Sequence, residues 1–204
     1  MTDIRYVCIS DLHLGEEDSI LTAINNDGVD TNNPSPVMVE LVRCLKELVS
    51  KNEGDKKPTL ILNGDILELA MSTTDISAMV FERFLELFMR KGEELFEKIV
   101  FVPGNHDHHL WEHARETQYL EYIKRHPNRK LLAPWHKTEM FLEELDNPPH
   151  CHFLESILNR YASEEEAIFA KDLNIFVAYP NLGLRSTNNG RCIVIHHGHF
   201  IESE

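Results

Sequence analysis

The 204-residue chain carries 20 Lys and Arg against 34 Asp and Glu, a formal net charge of −14 with its 12 histidines counted neutral. Phosphate backbones and anionic lipid surfaces are held by clustered Lys and Arg, so this balance disfavours DNA, RNA and acidic membranes as partners. With 42% hydrophobic and 26% charged residues the composition is globular rather than disordered, at a length suited to one domain.

Tyr6-Val7-Cys8-Ile9-Ser10 is a short run of strand formers and predicts a buried strand ending in a loop. Residues 15–35, rich in Gly, Asn, Asp and Pro, predict a loop. Ser35 then suits a helix cap and Pro36 the first helical position. Val37, Met38, Leu41, Val42, Leu45, Leu48 and Val49 follow at helical spacing until Asn52-Glu53-Gly54. Thr59-Leu60-Ile61-Leu62-Asn63 predicts a second buried strand, Asp75 to Phe96 a second amphipathic helix, and Ile99-Val100-Phe101-Val102 a third strand. This alternation implies right-handed crossovers and a parallel sheet covered by helices.

Between Asp107 and His197 the chain is longer than one crossover needs. Helices are expected from Leu110-Trp111 to Ile123, from Thr138 to Leu145 and from Phe153 to Ala170, broken by Pro127, Pro134 and Pro148-Pro149, and Ile175 to Tyr179 looks strand-like. The segment 108–172 is expected to form a helical cap that selects substrate. Asn189-Gly190 signals a hairpin before the strand Arg191 to Ile195.

Met1 to Arg5 lacks the basic start of a signal peptide, and no apolar run approaches the roughly 20 residues of a membrane span, so a cytoplasmic protein is expected. Cys8, Cys44, Cys151 and Cys192 are widely spaced without a CxxC pair and read as buried free thiols.

Ligands of parallel sheets bind beyond the carboxyl ends of the strands. Here those ends are Asp11-Leu12-His13, Gly64-Asp65, Gly104-Asn105-His106-Asp107 and His196-His197-Gly198-His199. Mixed Asp, His and Asn ligation without thiolate suits Mn, Fe, Zn, Co or Ni better than Ca. If the backbone stays extended, Asp11 and His13 point the same way and grip one ion. Asp65, after a glycine that permits close approach, has two oxygens that would bridge two ions about 3.5–4 Å apart.

The ordered series D-x-H, G-D, G-N-H-D and a later strand ending in H-G resembles the calcineurin-like metallophosphoesterases. The resemblance implies an α/β fold, a β-sandwich flanked by helices, with two divalent metal ions (Mn, Fe, Zn, Ni or Co) and a bridging hydroxide that attacks phosphorus. Carried over by position, Asp11 and His13 bind the first metal, Asp65 bridges, and Asn105 and His197 bind the second. His106 is then leaving-group acid or transition-state stabiliser, with Asp107 holding its imidazole. The implied substrate is a small phosphorylated molecule bearing a phosphomonoester, phosphodiester or pyrophosphate bond.

Two departures qualify the match. The family's closing G-H-x-H block is absent, since Gly198-His199-Phe200-Ile201 has Ile in the last place, so the expectation is the first, larger part of a domain. Ile66-Leu67-Glu68 replaces the Arg-Gly that protein Ser/Thr phosphatases carry after this aspartate, which disfavours that branch. The wording is closer to bacterial branches such as the UDP-2,3-diacylglucosamine pyrophosphohydrolases. A non-catalytic binding or regulatory module is the alternative, and a nuclease is disfavoured by the acidity.

Blander roles compete at several positions. His199 and His108 are candidate substrate contacts, although a solvated helix start is the favoured role for His108, as for His109 and His113. His150 and His152 read as surface residues, His196 as a packing residue, and Trp111 and Trp135 as packing rather than ligand platforms. Glu68 is either an outer partner of the metal ligands or a helix-start charge, and Glu164-Glu165-Glu166 a solvated face.

Overall fold

The computed structural model describes residues 3–132, 140–145, 147–161 and 163–198. Its centre is a four-stranded parallel sheet in the order β1 (Tyr6–Ile9), β4 (Thr59–Asn63), β5 (Lys98–Val102), β6 (Ile175–Val177). Register runs Cys8 to Ile61, Ile61 to Val100 and Val100 to Phe176, so alternate residues face opposite sides. Leu60, Leu62, Ile99, Phe101, Ile175 and Val177 meet the helices, while Ile61, Val100 and Val102 meet a second layer. That layer is an antiparallel pair, β7 (Leu182–Arg185) with β8 (Cys192–Ile195), which lays Leu182, Leu184 and Ile195 on the sheet. The hairpin is the one signalled at Asn189-Gly190, and Gly190 adopts φ +68°. Helices cover one face of the central sheet and strands cover the other.

Helix α1 (Pro36–Val49) begins where capping chemistry predicts: the Met38 N–H donates to Ser35 Oγ at 3.1 Å. Met38, Val42 and Leu45 form its buried stripe. Within the expected loop at 15–35 lies a small antiparallel pair, β2 (Ile24–Asn25) with β3 (Gly28–Val29). Helix α2 (Thr74–Glu86) stops ten residues short of the expected Phe96. Beyond it Gly92 turns with φ +83° and the Lys91 N–H bonds the Ile168 carbonyl. Phe88, Met89 and Phe96 stay buried, so a folded-back turn fills the core at spacings that imitate a helix.

Helix α3 (His109–Arg125) and the short α4 (His152–Leu158) place Leu110, Ala114, Leu154 and Leu158 in the same core as α1 and α2. The expected helix from Phe153 ends at Leu158 because Arg160 and Tyr161 turn away to a buried carboxylate. Glu82, fully enclosed, accepts from Arg160 Nη2 at 2.6 Å, Arg83 Nη2 at 2.7 Å and the Tyr161 hydroxyl at 2.8 Å. Of the expected helix from Thr138 to Leu145, 138–139 lie outside the described residues, and Leu142–Glu144 form a single 3-10 turn. The cysteines depart from expectation, for only Cys151 is buried. Cys8, Cys44 and Cys192 are exposed: β1 and β8 are sheet edges, and Cys44 lies on the outer face of α1. No described helix is long and apolar enough to cross a membrane.

Burial opposes ionisation of Glu82, yet its bonds from Arg160, Tyr161 and Arg83 hold the carboxyl below its ordinary value. Burial, reinforced by this carboxylate, pushes the Tyr161 hydroxyl up to about 12. Removing one partner of a buried ionic network leaves the others uncompensated, so Glu82→Ala is expected to cost about 3 kcal/mol, read from the urea midpoint. Because the folded carboxyl is depressed, its contribution is complete above the ordinary glutamate pKa of about 4.3 and fades as pH falls through the folded value. The stability gap between wild type and Glu82→Gln is therefore constant above about pH 5 and narrows in acid.

Candidate metal centre

Parallel pairing continues past the ends of β1 and β4. The Asp11 N–H donates to the Gly64 carbonyl at 3.0 Å, His13 to Asp65 at 2.9 Å and Leu14 to Ile66 at 2.9 Å, while the Glu68 N–H returns to Leu14 at 3.1 Å. Lacing two loops this tightly forces left-handed backbone: Asp11, His13 and Asp65 have φ of +54°, +45° and +51°. Asn128 is the one other non-glycine with positive φ among the described residues. Each such residue costs on the order of 1 kcal/mol, and strain of this kind collects where side chains must be aimed.

The extended Asp11-x-His13 geometry is therefore not adopted, and the two residues fall into different ligand groups. Ligand atoms of Asp11, Asp65 and His197 lie within 4.8 Å of one another, and so do those of His13, Asp65 and His106. Asp65 is common to both groups. It is 5% exposed, with Oδ1 accepting the His106 N–H at 2.9 Å and Oδ2 lying 3.2 Å from His197 Nε2. Two glycines make room for this convergence, since a Cβ on Gly64 would overlap the His197 ring and one on Gly104 would overlap the Asp65 carboxylate. Asn63 ties the layers together, its Nδ2 donating to the His196 carbonyl at 3.3 Å.

His106 is oriented differently from the expectation. Its Nδ1 lies 2.7 Å from the Glu68 carboxylate, which also meets His13 Nδ1 at 2.9 Å. Glu68 is fully buried and accepts the Ala70 and Met71 N–H groups at 3.1 and 2.8 Å. Asp107 does not hold the imidazole, because its oxygens are spent on the backbone. Oδ1 accepts from Gly104 at 2.7 Å, and Oδ2 from Ile66 at 2.8 Å and Leu67 at 3.3 Å. The residue fastens the β4 and β5 loops to each other. Glu68 was legible only as an acidic residue three places after Asp65, and pairing with histidines on two other strands carries no local signal.

Electrostatics follow from these contacts. Burial pushes the Asp107 carboxyl up to about 6, against the pull of its three N–H donors. Burial also opposes ionisation of Glu68, but hydrogen bonds from His106, His13 and Met71 leave its carboxyl below the usual value. The bond to Glu68 raises the His106 imidazole above its own.

The remaining expected residues are placed as follows. Asn105 is exposed on the loop before His106. His108 precedes the first residue of α3, with its ring edge-on to Tyr179 at 4.9 Å, and His199 lies outside the described residues. His196 is exposed rather than packed. His150 and His152 stack on each other at 5.7 Å, with His150 Nδ1 at 2.9 Å from Glu155.

Three histidines and two carboxylates, one of them buried, converge without a thiolate or a lysine. A buried carboxylate shared by two such groups calls for positive charge, and nitrogen and oxygen donors of this kind suit borderline divalent metals. A parallel α/β sheet whose strand ends gather these donors presents a candidate metal site at its carboxyl edge. The chain belongs to the calcineurin-like phosphoesterase family, whose model matches residues 4–203. That membership places it among metal-dependent phosphoester hydrolases. No curated protein and no solved structure matches the chain.

In the metal-free protein the His106 imidazole is expected to titrate above the ordinary histidine value of about 6.5, and Glu68→Gln to return it toward that value. Side-chain NMR titration measures both, and an unchanged His106 in the variant would refute the pairing.

Proposed function

We propose that this chain hydrolyses a phosphomonoester, phosphodiester or pyrophosphate bond in a small phosphorylated substrate at a centre of two divalent cations. The observation that carries the reading is that Asp65 belongs to two ligand groups, which makes it the natural bridge. Asp11, Asp65 and His197 would hold one cation. His13 and Asp65 would hold the other, with Asn105 presented from the neighbouring strand end. This partition differs from the one implied by family position, which paired Asp11 with His13. Mn, Fe, Zn, Ni and Co all fit the donors.

Cations held there would supply Lewis acidity, acidifying water and neutralising the phosphoryl oxygens. His106 would deliver a proton to the leaving oxygen from Nε2. Glu68 fixes its other nitrogen and keeps the ring protonated to higher pH, as an acid working near neutrality requires. Asp107 acts through the backbone, holding the Gly104-to-Asp107 turn that sets the height of His106. His108 and His199 would contact substrate at the rim, and the segment 108–172 would select it. In a chain of net charge −14, the cations would also offset the repulsion of an anionic ester.

Asp65→Asn tests the core of the reading. Divalent binding, followed by calorimetry, is expected to disappear, and Mn-supported hydrolysis of bis-p-nitrophenyl phosphate to fall by roughly a thousandfold or more. His197→Ala keeps one group intact and is expected to lose about a hundredfold. Undiminished turnover in Asp65→Asn would overturn the assignment.

A further inference from the structure

The strand that carries His197 to the metal-bearing edge is poorly secured by packing. β8 pairs with β7 alone, and Cys192, Ile193 and Val194 are exposed, so little apolar burial fixes its carboxyl end. His197 nevertheless stands beside Asp65 of the central sheet, with Nε2 3.2 Å from Oδ2. Asn63, the last residue of β4, spans the two layers twice. Its main-chain carbonyl lies 3.3 Å from His197 Nδ1, and its side-chain Nδ2 donates to the His196 carbonyl at 3.3 Å. Next to it, Gly64 lets the imidazole lie against the backbone where a Cβ would overlap it. A carbonyl oxygen can only accept, so this contact places a hydrogen on Nδ1. Nε2 is then the nitrogen that faces Asp65.

The Asn63 amide is destabilising in one respect: Oδ1 is buried and has no hydrogen-bond partner among the described residues. A buried acceptor left unmatched lowers stability. Asn63 also follows Leu60, Ile61 and Leu62, all fully buried, where an apolar residue would continue the strand. An amide kept there points to a task other than holding the fold together. Resting on the two-cation reading, we propose that Asn63 is a positioning residue for the cation held by Asp11, Asp65 and His197. Its amide fastens the end of β8 to β4, and its carbonyl fixes the His197 tautomer. Imidazole ligands work best with the second nitrogen committed in this way, because a ring free to turn or to move its proton presents the ligand atom only part of the time. The group formed by His13, Asp65 and His106 takes no residue from the end of β8, so Asn63 acts on one cation rather than both.

Asn63→Leu keeps the branched shape and removes both polar atoms of the amide. In the metal-free protein it should leave the urea midpoint unchanged or raise it, whereas loss of a purely structural residue lowers it. Nitrogen NMR shifts of the neutral His197 ring are expected to show the hydrogen on Nδ1 in the wild type and a mixture of tautomers in the variant. Calorimetric titration with Mn should then show two binding events in the wild type, one of them weakened about ten- to a hundredfold in Asn63→Leu and the other unchanged. In a His197→Ala background the same substitution should change nothing further, since the ring it positions is gone. A lowered midpoint, an unshifted tautomer or equal weakening in the His197→Ala background overturns the proposal. A tautomer shift in a protein that binds no divalent cation sustains the positioning of His197 and overturns the two-cation reading alone.

Discussion

Everything at the sheet edge is organised around the Asp65 carboxylate. Three separate pieces of chain reach it: the loop after β1 through Asp11 and His13, the loop after β5 through His106, and the end of β8 through His197. Because Asp65 is almost wholly enclosed, its charge must be balanced by whatever these pieces bring, and none of them brings a lysine or arginine. The requirement explains features that would be liabilities elsewhere. Asp11, His13 and Asp65 itself accept left-handed backbone, and Gly64 and Gly104 surrender side chains so that a ring and a carboxylate can approach.

Around this carboxylate two further acidic residues divide the work. Glu68 collects imidazole nitrogens, orienting both His13 and His106 and raising the His106 imidazole above its ordinary value. Asp107 collects backbone N–H groups and clamps two loops. Both are fully buried, yet their carboxyl groups shift in opposite directions. Histidine partners can share a proton with Glu68, whereas amide donors only partly offset the cost of burying charge on Asp107. A strongly acidic chain thus spends a few carboxylates on building a place for cations.

The architecture was legible wherever a local pattern is tied to a local cause. Buried parallel strands read as continuous apolar runs, so Thr59–Asn63 announced itself, whereas Tyr6–Ile9 was legible as a strand but not as a buried one: at the sheet edge it buries Val7 and leaves Tyr6 and Cys8 exposed. Ser35 and Pro36 marked the start of α1 because capping involves only the next few N–H groups. Where a spacing had two causes, reading failed. Phe88, Met89 and Phe96 are buried by a turn that doubles back, and their period resembles a helix. Phe153 onward looked helical until Arg160 and Tyr161 were drawn off to Glu82, a partner nearly eighty residues away.

At the site the donor residues were visible in their order along the chain, since strand ends in a parallel sheet must share an edge whatever the loops do. Residue order therefore settled the class of fold, the family and which histidines and carboxylates gather at one edge. Which donors group together, that Glu68 rather than Asp107 faces His106, and that Tyr179 meets Trp111 were decided by the tertiary structure. Those facts depend on left-handed turns and on contacts between distant strands, and a backbone sign or a partner forty residues away leaves no trace in local composition or period.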